Sequence, residues 1–349
     1  MAEEPKNPAA RVRNKGLDWL RPTRAVSIAF DVRKVALAAV GLAAIQAGWF
    51  NLDQLSPGLA TTVFPFVETP RLPSIISMDS PGLILGEAFA NVARPALVFI
   101  APLWEFFHAR TDLGAASLAL SKLALMVVVV GIVGGAIARS AVIEAARGER
   151  SSMAEGLRFA FQHGGTLIAA PLFPLLTAML CGLIAAVFGL LLNLPGGVGE
   201  VVGGVGFVVP LALGFVAALL LINLAAAWPL IHASVAAEGE DALDALSRAF
   251  GCVNRRPVQF AALVALAWIV GSAGLIVVDL IAATALHLAV WGTSLTAPNL
   301  DGPPAFWTAI VAFLVQAWAY AYFWSSAALI YLTLRRDIDG SPWSEVTEP

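Results

Sequence analysis

Between Lys34 and Arg335 the chain runs repeatedly through long stretches without a single Asp, Glu, Lys or Arg, and this absence of charge constrains the fold more than any motif does. Charge-free runs cover 35–52, 123–138, 159–199, 201–237, 257–278 and 302–334. A bilayer core needs about 20 apolar residues per helix. The pattern therefore specifies an all-α, polytopic integral membrane protein. Composition agrees: 59% of the residues are hydrophobic, 13% are charged and the mean hydropathy is +0.81. Such a chain lacks the polar surface to cover a soluble domain.

Six spans are expected, near 34–52, 114–139, 166–192, 205–231, 259–287 and 305–334, which together make a membrane domain over 34–334. Residues 1–33 read as a basic, interfacial N-terminal segment, 53–113 as an extracytoplasmic segment and 335–349 as a cytoplasmic tail. Within the N-terminal segment Trp19, Leu20, Val26 and Phe30 alternate with Arg21, Arg24, Asp31, Arg33 and Lys34, the mix of a segment lying among lipid headgroups. The stretch 85–109 is apolar but is interrupted by Glu87, Arg94, Pro95, Pro102, Glu105 and His108. It reads as an interfacial or re-entrant segment, because broken helix at membrane depth needs protein or water beside it.

Orientation follows from the cationic side chains. In the six-span arrangement 17 of the 21 Lys and Arg residues fall on the side of the two termini, and only Arg71, Arg94 and Arg110 fall opposite. Lys122 lies inside a span. The positive-inside rule then places both termini in the cytoplasm, with the inner (plasma) membrane of a bacterium as the expected site.

The cytoplasmic side carries an internal echo at a spacing of 89 residues: Glu155, Leu157, Ala160 and Phe161 recur as Asp244, Leu246, Ala249 and Phe250. Each copy follows a span and a Gly-Glu pair. Ser152 and Glu155 have capping-box spacing, and Met153, Leu157 and Phe161 share one helical face. Asp241 is the equivalent N-cap, with Leu243, Leu246 and Phe250 as the equivalent stripe. A truncated third copy lies in Arg335 to Gly340. The pattern describes a repeated unit of span and amphipathic cytoplasmic helix, although an echo this short competes with coincidence.

The run Gly134-Gly135-Ala136-Ile137-Ala138-Arg139, the helix Glu155 to Phe161 leading to Pro171-Leu172-Phe173-Pro174, and Tyr331 to Gly340 resemble an uncharacterised family of bacterial multi-span membrane proteins. More loosely they resemble the membrane domain attached to some glycerophosphodiester phosphodiesterases. The resemblance covers about 114–340 and implies a topology and a connection to lipids. Nothing in the chain corresponds to the phosphodiesterase barrel, so no catalytic residue is carried over.

Ionisable groups inside spans are costly and face protein or water. Lys122 and Asp279 fall at comparable depth in the outer parts of the second and fifth spans, which suggests a buried ion pair. The alternative is that each snorkels to the outer surface independently. Gly131 and Gly135 have GxxxG spacing with Gly134 between them, and Gly271 with Gly274 thins the fifth span; both read as helix-packing faces. His108, His163, His232 and His287 lie in separate segments without metal-ligand spacing, and Cys181 and Cys252 form no CxxC pair. No cofactor, no enzymatic activity and, with a formal net charge of −3, no nucleic-acid partner is expected. The expected partners are membrane lipids, with a protein partner or a second copy of the chain alongside. The functional expectation is the handling or transport of a lipid or small solute, the alternative a structural or accessory subunit of a membrane complex or the envelope.

Overall fold

The computed structural model describes residues 21–56, 81–108, 112–190, 197–297 and 302–347. Most of the basic N-terminal segment (1–20) and part of the extracytoplasmic segment (57–80 and 109–111), with Arg71 and Arg110, lie outside the described residues. A 3₁₀ turn, Arg21–Arg24, leads into α1 (Ala25–Ala29), α2 (Val32–Leu55), α3 (Pro81–His108), α4 (Leu113–Arg147), α5 (Met153–Gln162) and α6 (Gly164–Gly189). There follow α7 (Val198–Gly206), α8 (Val208–Glu238), α9 (Ala242–Arg255), α10 (Pro257–Ser294) and α11 (Gly302–Asp339). No strand occurs among the described residues.

Seven helices, α2, α3, α4, α6, α8, α10 and α11, are long and apolar enough to cross a bilayer, one more than the six expected. The addition is α3, which runs unbroken for 28 residues through Pro95 and Pro102. The stretch expected to be interfacial or re-entrant is one continuous helix, and its charges do not break it. Glu87, Arg94 and Glu105 are spaced by 7 and 11 residues, close to two and three helical turns, so they form one polar stripe along an otherwise apolar helix.

One end of the bundle collects the described ends of the chain. Lys34, at the start of α2, pairs with Glu144 near the end of α4. Arg335, near the end of α11, meets Glu238 at the end of α8 at 2.7 Å, and the Arg21 guanidinium lies 5.0 Å from the centre of the Trp343 ring. This basic end holds the first turn of α2 and the last turns of α4, α8 and α11. The helix α3 runs obliquely, from Trp268 of α10, whose indole donates to the Phe89 carbonyl at 2.8 Å, to Lys122 of α4, 3.7 Å from Glu105.

Small residues let the helices approach closely. A Cβ on Gly131 would meet Ile168 at 3.0 Å, and one on Gly135 would meet Leu167 at 2.6 Å, so the GxxxG face packs on α6. A Cβ on Gly134 would meet the Trp324 ring at 2.6 Å, one on Gly274 would meet Trp318 at 2.8 Å, and one on Gly271 would collide with the Tyr322 ring. The receiving aromatics form a buried ridge along α11: Trp318, Tyr320, Tyr322 and Trp324.

The echo has a structural counterpart. The helices α4, α8 and α11 all end on a left-handed glycine, Gly148, Gly239 and Gly340, with φ of 72°, 67° and 75°. Ser152 closes a full capping box on α5, and Asp241 caps α9 by accepting from the amides of Leu243 and Asp244. The face packed on the bundle differs from the expected stripes: Gly156, Phe159 and Ala160 are buried in α5, and Ala245, Ala249 and Cys252 in α9. Met153, Phe161 and Leu243 are exposed. Small residues win the contact because α5 lies so close to α4 that a Cβ on Gly156 would meet Ser140 Oγ at 2.9 Å. Of the expected stripes, Leu157, Leu246 and Phe250 still pack partly buried against the bundle, while Met153, Phe161 and Leu243 are turned outward, as in a helix lying at a membrane surface.

Candidate functional site

Lys122 and Asp279 do not pair. Lys122 is buried, 6% exposed, with its ammonium 2.8 Å from Asp53 in the last turn of α2 and 3.7 Å from Glu105 of α3. The Trp49 indole donates to its carbonyl at 3.2 Å, so one lysine ties α2, α3 and α4 together. The physical reason for the miss is that both acids sit within or beside the stretch 53–113, which the sequence reading separated from the membrane bundle. Asp279 is 1% exposed, and neither carboxylate oxygen has a hydrogen-bond partner among the described residues. Its charged neighbour is another acid, Glu87. Neither group snorkels to a surface.

Beneath the oblique α3 lies an apolar cavity of about 350 Å³, enclosed by α3, α8, α10 and α11. Its walls are Val92, Ala93 and Ala96 of α3, Ala225 to Leu230 of α8 (Ala227 excepted), Phe260, Val264, Ala267 and Trp268 of α10, and Tyr322, Phe323, Ser326, Ala327 and Ile330 of α11. Three contacts hold this frame. Phe99 stacks on Trp228 at 4.6 Å between centroids, which fixes α3 on α8. The Trp268 indole on the Phe89 carbonyl fixes α3 on α10. The Tyr322 hydroxyl donates to the Ala267 carbonyl at 2.6 Å, which fixes α11 on α10.

The helices α8 and α10 do not pack along one another, and the cavity occupies the gap between them. Val264 and Trp268 on the α10 wall are exposed, so the cavity opens to the side of the bundle. The hydroxyls that reach it are satisfied internally, Ser326 on the Phe323 carbonyl at 2.8 Å and Tyr322 on Ala267. Its volume is within the range of ligand sites, ~300–1,000 Å³. An apolar chain fits such walls; no ionised side chain lines them.

Sequence reasoning missed the basic-end network, where the buried polar groups are best satisfied. Arg139, 1% exposed, donates to the Ala236 carbonyl at 2.7 Å and the Thr347 carbonyl at 2.8 Å, with its guanidinium 4.7 Å from the Phe159 ring centre. Arg335, 2% exposed, donates to Glu238 at 2.7 Å and to the carbonyls of Pro342 and Glu345 at 2.9 and 2.7 Å. The tail over 340–347 is thereby folded under the bundle, and the Thr347 amide adds a bond to the Ala237 carbonyl at 2.9 Å. Both arginines look like ordinary cytoplasmic flanks in the sequence. The available signal was their position ahead of the glycine stops at 148 and 340, which keeps them inside helices. Close by, burial and secondarily the charge of Asp339 push the Cys252 thiol up to about 12.

Comparison with known proteins finds no matching family model, no matching curated protein and no matching solved structure.

Proposed function

We propose that this membrane protein handles a lipid or a small apolar solute, holding its apolar part in the cavity between α3, α8, α10 and α11. The observation that carries the reading is the cavity itself: apolar on every wall, framed by interlocked aromatics and open sideways between two long helices. A guest entering from the hydrocarbon would keep its apolar surface out of water throughout. The lining offers no acid–base or nucleophile–base pair, so the role is binding and movement rather than catalysis.

The proposed topology is six crossings with both termini in the cytoplasm of a bacterial inner-membrane protein. Its support is that Arg21 and Trp343 meet at one end of the bundle, which requires an even number of crossings, whereas seven helices meet the length criterion. The helix set aside is α3, the oblique one, which then serves as a crossbar over the cavity. The distribution of Lys and Arg supports the basic end as the cytoplasmic one.

A structural or accessory role is the second reading, favoured by the exposed apolar side chains of α6 and α8, among them Leu176, Leu183, Phe215 and Ile222. Mass spectrometry of the protein extracted in native lipid patches separates the two. A retained lipid or apolar solute that disappears in Ala96→Phe and Ala226→Phe, which fill the cavity, supports handling. A stoichiometric protein partner with retained lipids unchanged in those variants supports the accessory role and refutes the first.

A further inference from the structure

We infer that a second, separate pocket at the basic end binds the phosphate of an anionic phospholipid headgroup. It lies where α9 turns into α10, beside the last turn of α11, and has a volume of about 930 Å³. Three arginines line it: Arg255 and Arg256 from the α9–α10 junction and Arg336 from α11. Arg255 and Arg256 are exposed and make no ion pair among the described residues. The one acid in the wall, Asp337, accepts a hydrogen bond from the Gln259 side chain, which holds it within the wall.

The backbone points the same way. Helix α10, 38 residues long, begins at Pro257 with Arg256 at its N-cap, and no side chain caps its first amides. Pro257, Val258 and Gln259 line the pocket, so the unsatisfied N–H groups and the positive end of a long helix dipole lie at its wall. Three helix starts at this end are closed by their own side chains, Asp31 for α2, Ser152 for α5 and Asp241 for α9, and three, those of α1, α6 and α10, are not. What distinguishes the start of α10 is the pocket it faces, lined by three arginines.

Depth selects the lipid over a soluble anion. Val258, 82% exposed, stands at the pocket on the first turn of a helix that becomes continuously apolar from Phe260, so the rim lies where hydrocarbon gives way to headgroups. Trp343 closes the inner wall beneath Arg21. On α10 this pocket uses Val258, Gln259 and Ala262, whereas the apolar cavity uses Phe260, Val264 and Ala267 on the opposite face. The two sites are therefore independent, and failure of either leaves the other standing.

The test is titration of the purified full-length protein with phosphatidylglycerol, followed by native mass spectrometry, with phosphatidylcholine and inorganic phosphate as parallel ligands. The expected result is selective retention of phosphatidylglycerol, weakened roughly five-fold by each of Arg255→Gln, Arg256→Gln and Arg336→Gln, taking about 1 kcal/mol per cation near an anionic surface. Arg256→Lys should restore most of the loss. Arg150→Gln and Arg158→Gln, at the same end but outside the pocket, should change nothing. Equal retention of phosphatidylcholine, or equal losses in the two outside variants, would overturn the site. Inorganic phosphate competing at concentrations similar to the lipid's would overturn the lipid assignment. Arg255 and Arg256 are exposed, so their single variants keep the test valid if Arg336→Gln does not fold.

Discussion

The basic end and the opposite half of this bundle solve the same problem in contrary ways. At the basic end buried polar groups are joined into a network: Arg139 donates to the carbonyls of Ala236 and Thr347, Arg335 to Glu238 and the carbonyls of the tail, and Tyr331 bridges Ser234 and Glu238 at 3.1 and 3.2 Å. In the opposite half, α6 and α8 present Leu180, Leu183, Leu211, Phe215 and Ile222 outward, and the one buried acid of α10, Asp279, has no hydrogen-bond partner among the described residues. Hydrocarbon explains the contrast. Between helices in lipid there is no hydrophobic drive, so apolar faces stay exposed without cost and association rests on close packing and polar contacts. The opposite half has its own polar tie, Lys122 with Asp53 and Glu105, and otherwise rests on close packing.

The contrast is broken most severely at Arg335. Replacing it with Met strips the Glu238 carboxylate and the carbonyls of Pro342 and Glu345 of a buried cation, at a cost of about 3–5 kcal/mol. The expected outcome is loss of monodisperse protein on size exclusion and release of the tail to carboxypeptidase. Next comes Lys122→Met, which leaves Asp53 and Glu105 facing each other without their cation and should lower thermal stability by ~2–3 kcal/mol. Asp279→Leu removes a buried unpartnered carboxylate and should leave stability unchanged or raised. The two changes should add independently, and a coupling above ~0.5 kcal/mol would restore a link between Lys122 and Asp279.

Overpacking sharpens the comparison at smaller scale. Gly134→Val drives a side chain into the Trp324 ring and should cost about 1–3 kcal/mol, read as a lower melting temperature in detergent. Gly204→Val, with nothing within 4 Å of its Cβ, should cost little. The smallest effect concerns chemistry rather than stability. With its pKa raised to about 12, Cys252 is almost wholly thiol at neutral pH, so maleimide labelling should be slow and should quicken as pH rises. Fast labelling of folded protein at pH 7 would show the α9 face to be open.

The membrane class, the glycine faces and the two capped short helices were legible because each depends on local spacing. Gly131 and Gly135 face one partner because four residues make about one turn, and Ser152 with Glu155 encodes its own capping box. What stayed hidden required knowing which helices meet. Lys122 could be placed by depth but not by azimuth, so Asp279 was as plausible a partner as Asp53. The stripe of Glu87, Arg94 and Glu105 looked like an interruption until its partners on α4 and α10 were known. The cavity was invisible for the same reason: its walls come from four helices, none with a motif.

Handling of an apolar guest is tested most directly by photo-crosslinking with a phospholipid carrying a diazirine in its acyl chain, followed by peptide mapping. The prediction is label on Val264, Trp268 and the α8 wall near Pro229, abolished by Ala226→Phe while label on the exposed Leu183 and Phe215 persists. Label spread evenly over all lipid-facing residues, and unchanged when the cavity is filled, would contradict it.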